Sequence, residues 1–218
     1  MSIRPVHAQI TELSEVLVQL SNKVLENFLI SLHAAVQHDE DDIKKRALAD
    51  YEIDMAEVDL EEQCLSFLAL QHPVASDLRT IMTIIMVNDE LERIGDLSLH
   101  CLDLMSEITP GIIESFGFEK MGVLASEMVK KSIMAFAVKE QAFADEVALF
   151  DEEIEVMHRS VFNKATALIK IPDADVSQLM AVLSISRYIK HIADHAVKIA
   201  QEVIYLVTGE ITHKKASH

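Results

Sequence analysis

Tryptophan is absent from this 218-residue chain, and glycine (five), proline (four) and phenylalanine (eight) are sparse. Sheet proteins need frequent turn residues and alternating β-branched and aromatic positions, and no run of that kind occurs. The expected fold class is all-α. The two cysteines, Cys64 and Cys101, form no Cys-x-x-Cys pair and fall in apolar helical segments, so they read as small buried hydrophobes in a reducing compartment. Basic side chains are outnumbered, 19 Lys and Arg against 36 Asp and Glu, for a formal net charge of −17. Such a field repels phosphate backbones and argues against direct nucleic-acid binding, while it suits cations or a basic protein surface. No apolar stretch approaches the roughly 20 residues of a membrane span. Thr11, Glu12, Ser14 and Glu15 interrupt the first apolar pattern, so no signal peptide is read and a cytoplasmic protein is expected.

Half of the residues are hydrophobic, enough for a substantial core. Between Ile10 and Gln37, Leu13, Val16, Leu17, Leu20, Val24, Phe28 and Leu32 return at helical spacing and predict a first helix with one buried face. The acidic run His38 to Asp42 reads as a solvated turn and cap, without the glycine and spacing of a calcium loop. A second helix is predicted from near Asp42 to Gln71, ending before Pro73, and a third from near Pro73 to about Ser106. Pro110, Gly111 and Gly117 form the richest group of breakers and mark the expected boundary between halves. Beyond it, helices are predicted at about 119–146, 150–170 and 175–207, with Gly209 as a C-terminal cap and a frayed tail from about Glu210. The expectation is six helices forming two similar three-helix bundles related by internal duplication, residues 1–110 and 111–218.

The chemistry lies in a recurring acidic step. Asp50 and Asp54, Glu92 and Asp96, and Asp151 and Glu155 are each spaced i to i+4, and Lys190 and Asp194 repeat the step with an ammonium in the first place. Residues so spaced share one helical face, so each intact step aims two carboxylates together. Asp50 and Asp151 are 101 positions apart, and Asp96 and Asp194 are 98 apart, so the steps repeat in order along the chain. Asp54 lies 19 residues before Pro73 and Asp96 lies 23 after it, which brings the first two steps to similar heights on antiparallel neighbours rising about 1.5 Å per residue. Carboxylates gathered this way need protons, bases or a cation to offset their repulsion. Asp50, Asp54, Glu92 and Asp96, with Asp89 as an added ligand at i−3 from Glu92, are the first candidate metal site. Asp151, Glu155 and Asp194 are the second, where Lys190 is expected to neutralise its neighbours and leave weak metal binding or none. The oxygen-rich sets suit divalent or trivalent ions: iron, zinc, manganese, magnesium or calcium. His191 and His195 face another way around their helix and read as surface histidines.

Gln71-His-Pro-Val-Ala-Ser-Asp-Leu-Arg79, followed by Leu91-Glu-Arg-Ile-Gly-Asp96, resembles the PhoU family of phosphate uptake regulators, and Ile192-Ala-Asp-His-Ala196 resembles the matching step of its second repeat. The resemblance spans nearly the whole chain through length, repeat and helix order. It implies two three-helix bundles whose acidic steps carry metal clusters, and a cytoplasmic regulator, often a homodimer. Its implied partners are a phosphate-specific ABC transporter and a sensor histidine kinase, through which it restrains uptake and, indirectly, transcription of the phosphate-starvation response. Membrane association would come only through partners. Lys190, Leu97 and Lys198 depart from the family pattern. Pro73 and Asp77 have structural readings as helix starter and first-turn acid, and Arg79 is expected to pair with a neighbouring acid.

No nucleophile triad, phosphate loop or acid/base pair stands out, so no enzymatic activity is expected. The alternative is a carboxylate-bridged di-metal protein of ferritin-like type with redox or storage activity, which needs two Glu-x-x-His steps. Glu155-Val-Met-His158 supplies one, and Glu210-Ile-Thr-His213 supplies the other only in the tail.

Overall fold

The structure, a computed structural model, describes residues 5–37 and 40–210. The remaining residues, including His38, Asp39 and the tail from Ile211, lie outside it, and with them part of the predicted turn and of the frayed end. Seven helices follow one another: α1 (Pro5–Gln37), α2 (Glu40–Gln71), α3 (Ala75–Ser106), α4 (Pro110–Phe116), α5 (Phe118–Val138), α6 (Gln141–Ile169) and α7 (Val176–Thr208). No strand occurs among the described residues.

Helices α3 and α7 pack along each other, α1 lies on α3 and α5, and α5 lies on α7, so these four long helices share one core. Helix α2 covers α1 and α3 on one flank, and α6 covers α5 and α7 on the other. The layering follows from the width of each apolar stripe. Helix α7 buries Leu179, Val182, Ile185, Ile189, Ile192 and Val203, among others, and can be covered from several sides. From Asp50 to Gln71, helix α2 buries a narrow seam, Asp50, Ile53, Glu57, Leu60, Cys64 and Phe67, at alternating intervals of three and four. Such a 3.5-residue period supports a single line of packing and leaves the rest of the helix to water.

Most boundaries fall where predicted, and the differences have local causes. Predicted helices 119–146 and 150–170 are instead α5 and α6, divided at Lys139 and Glu140. Lys139 takes left-handed φ 56°. Its N–H donates to the Phe136 carbonyl and that of Glu140 to the Ala135 carbonyl, at 3.3 and 3.2 Å, the paired bonds of a Schellman terminus. Lysine occupies the position glycine normally takes there, so no breaker betrays the turn. The breaker-rich stretch after Thr109 coils into the extra helix α4, closed by Gly117 at φ 69°. Helix α3 begins at Ala75, two residues beyond the predicted Pro73 start, after a turn with positive φ at His72 and Ala75. Gly209, at φ 74°, ends α7 as predicted and donates its N–H to the Tyr205 carbonyl at 2.8 Å. Asp175 caps the other end, accepting from the Gln178 N–H at 3.1 Å.

Candidate functional site

Where α2 runs against α3, two seam positions that should be apolar are acidic. Asp50 is 6% exposed and Glu57 3%. Asp50 Oδ1 and both carboxylate oxygens of Glu57 are buried without a hydrogen-bond partner. Unpaired buried carboxylates are costly, and burial raises the pH at which they ionise. Burial, then the charges of Asp54 and Asp96, push Asp50 up to about 6. Burial, then Asp54, Glu92, Asp50 and Asp96, push Glu57 up to about 8. Asp54 is also raised, by its burial and then by Asp96.

The predicted residues Asp50, Asp54, Glu92 and Asp96 therefore share one electrostatic field on the α2–α3 seam. Glu57 joins them and was missed, although its place in the period of Ile53, Leu60 and Phe67 marks it as a core position. Asn88 locks the register of the two helices there, donating Nδ2 to the Glu57 carbonyl oxygen at 3.0 Å. Gly95 leaves α3 bare beside Asp50, whose Oδ1 lies 3.8 Å from where a β-carbon would stand. Asp54, Glu92 and Asp96 point outward from the same seam and are exposed. Among the described residues, none of the five forms a salt bridge with Lys, Arg or His, and no three of His, Cys, Asp and Glu lie close enough together to hold one ion.

Asp89 is not with them. It is exposed and paired with Arg93, 3.4 Å away on its own helix. Glu90 faces the opposite helix, α7, where its Oε2 meets His195 Nδ1 and lies 3.4 Å from Lys198 Nζ. The surface reading of His195 is thereby corrected, because its side chain is only 13% exposed. His191 is exposed, as read, and burial of its ring lowers its pKa more than the Asp194 charge raises it.

The α6–α7 seam carries the second set. Lys190 Nζ donates to Asp194 Oδ1 at 2.9 Å and lies 3.6 Å from Glu155 Oε2. Burial would lower the Lys190 pKa, but its bond to Asp194 and the charges of Asp194, Asp151 and Glu155 outweigh that and raise it. Lys190 thus neutralises its neighbours, as expected. His158, one turn beyond Glu155, shares a hydrogen bond of 2.8 Å between its Nδ1 and Ser186 Oγ. Of the two Glu-x-x-His steps that the ferritin-like alternative needs, the first places His158 against Ser186 and the second, ending at His213, lies outside the described residues.

The Gln71–Arg79 segment has structural roles. Asp77 Oδ2 lies 3.6 Å from His7 Nε2 of α1. Arg79 packs its guanidinium against Gly209 at the end of α7, where helix carbonyls favour a cation, and forms no salt bridge among the described residues. Both cysteines are free and buried, and burial pushes the Cys64 thiol up to about 11. No helix among the described residues is long and apolar enough to cross a membrane.

These features define an all-helical bundle protein with acidic interhelical seams, the first uncompensated and the second holding its own base. The PhoU domain family model matches residues 17–105 and again 118–203, and the chain belongs to the PhoU family. It is 25% identical over 211 residues to a phosphate-specific transport system accessory protein PhoU homolog of Clostridium acetobutylicum, covering 93% of this chain and 94% of that protein. A Synechocystis relative with the same description is 29% identical over 192 residues, covering 86% and 84%. Among solved structures, PhoU from Pseudomonas aeruginosa superposes with a TM-score of 0.83 at 25% identity, covering 94% of this chain and 99% of that one. The phosphate transport system regulatory protein PhoU from Streptococcus pneumoniae reaches 0.88 at 24% identity, covering 95% and 99%, a likeness of fold.

Proposed function

We propose that this protein is a non-enzymatic regulator of phosphate uptake, an adaptor between a phosphate-specific ABC transporter and a sensor histidine kinase that restrains the phosphate-starvation response. The observation that carries this reading is family membership across both halves, together with relatives described as accessory proteins of the phosphate-specific transport system. The protein acts in the cytoplasm as a homodimer and reaches the membrane through its partners. Two family-model matches on either side of residues 106–117 support a duplicated chain with units 1–110 and 111–218.

The first seam holds the metal. Its fit rests on Asp50 and Glu57, buried donors whose oxygens lack partners and whose fields are made entirely of other acids. Asp50, Asp54, Glu57, Glu92 and Asp96 offer only oxygen, which favours magnesium, calcium, manganese or iron over zinc. A bound cation supplies the charge that lets Asp50 and Glu57 ionise inside the seam. Asp54, Glu92 and Asp96, exposed on the same seam, would complete its oxygen ligands, with Asn88 keeping the helices in register.

Co-purification from phosphate-replete cells with tagged protein tests the adaptor role. Recovery of transporter and kinase subunits is expected. Recovery of neither, from cells shown to express both, overturns it.

A further inference from the structure

The two seams are the same device with different contents. On α6, Asp151 and His158 take the seam places that Asp50 and Glu57 take on α2, within the buried series Ala144, Val147, Ile154, Val161 and Ala165. On α7, Ser186, Lys190 and Asp194 take the places of Asn88, Glu92 and Asp96. Two carboxylates of the first seam have thus become an imidazole and an ammonium in the second. Glu57 has no partner for either oxygen, whereas His158 bonds to Ser186.

The ammonium sits where a counter-ion is needed. Lys190 reaches one carboxylate on its own helix and another on α6, and it feels the charge of Asp151, whose Oδ1 is buried and unpartnered. An exposed i,i+4 pair would be worth little. The Lys190 side chain is only 22% exposed, and its attachment to α7 removes the entropy cost of recruiting an ion from solution.

We propose that Lys190 is a tethered cation standing in for a metal ion, so that the α2–α3 seam depends on metal for its counter-charge while the α6–α7 seam carries its own. This inference rests on the reading that the first seam binds metal. Metal supply then bears on the first seam and not on the second. The second seam remains a latent metal site, which a carboxylate at position 190 would open.

The test uses Mn²⁺ alone as the probe, on full-length protein stripped with EDTA, with the first seam disabled by Asp50→Asn and Glu57→Gln. Bound manganese is measured by elemental analysis, and backbone protection by hydrogen exchange with and without metal. The disabled protein should bind little Mn²⁺, and adding Lys190→Glu should restore at least one equivalent, with protection gained in α6 and α7. No gain of Mn²⁺ by a folded Lys190→Glu protein overturns the proposal. Wild-type protein that binds no Mn²⁺, beside a Lys190→Glu protein that does, sinks the metal reading of the first seam and with it the contrast between the seams, and leaves only the role of Lys190 as the second seam's cation. Should Lys190→Glu fail to fold, Lys190→Gln replaces it. EDTA should leave exchange in α6 and α7 of the wild type unchanged, and Mn²⁺ should slow exchange there in Lys190→Gln. Metal-sensitive exchange in those helices of the wild type, or none in Lys190→Gln, overturns the proposal equally.

Discussion

His195 of α7 meets Glu90 of α3 through Nδ1 and Oε2, with side chains only 13% and 15% exposed, and so bolts one half of the chain to the other. Burial alone would raise the Glu90 pKa, but its bond to His195 and the charges of His195 and Lys198 prevail and lower it. A carboxylate with a depressed folded pKa contributes stability above its unfolded value and loses it as pH falls through the folded one. Glu90 therefore strengthens the α3–α7 junction at neutral pH and ceases to do so in acid, below its ordinary value of 4.5. Glu90→Gln should cost about 1–3 kcal/mol at pH 7 and shrink toward no effect near pH 3, measured by urea unfolding at each pH. An equal loss at both pH values would assign the residue a packing role only.

Glu57 has the opposite sign. A carboxylate with a raised folded pKa stabilises the fold most below its unfolded value of 4.5 and loses that contribution as pH climbs through about 8. Metal-free protein should therefore lose stability between those limits, with Asp50 adding to the fall in its lower part because its pKa rises from 3.8 to about 6. Glu57→Leu, which fills the seam with an apolar side chain, should stabilise the metal-free protein at pH 8 by about 1–4 kcal/mol and weaken metal binding. Thermal unfolding in EDTA across this pH range checks the slope, and a flat profile for the wild type would contradict it.

The helices were legible because their apolar residues recur at three and four, and the acidic steps because i,i+4 pairs stand out in any helix. Glu57 was not, since searching for pairs at i,i+4 passes over a single acid at i+3 from Asp54, though it interrupts a seam of Ile53, Leu60 and Phe67. Asp89 looked equally suitable by spacing, yet it turns to Arg93 because its position lies outside the packed face. His195 was misread for a related reason. Spacing shows that it points away from the second seam but not that α3 brings Glu90 to meet it, which only packing between halves decides.

The carboxylates of the first seam should govern metal content unequally with those of the second. Glu92 belongs to a set with no base, and Asp194 is already bonded to Lys190. Glu92→Ala should remove most of the metal retained by protein purified without chelator, and Asp194→Ala little of it, as read by elemental analysis. Equal losses from the two substitutions would show that both seams are occupied alike.

Lys139 offers a test of a helix boundary that the residue pattern concealed. Its φ of 56° and the two hydrogen bonds around it form a terminus that glycine adopts freely, whereas an L side chain in the left-handed region costs roughly 1–2 kcal/mol. Glycine gives back part of that gain through its greater freedom in the unfolded chain. Lys139 is exposed and in no salt bridge among the described residues, so little else is lost with its side chain. Lys139→Gly should therefore stabilise the protein by about 0.5–1 kcal/mol, read as a higher urea midpoint with an unchanged slope, because the α5–α6 turn keeps its shape. If α5 instead continued through this point, the same substitution would place glycine inside a helix and destabilise by about 1 kcal/mol, so the sign alone decides between the two geometries.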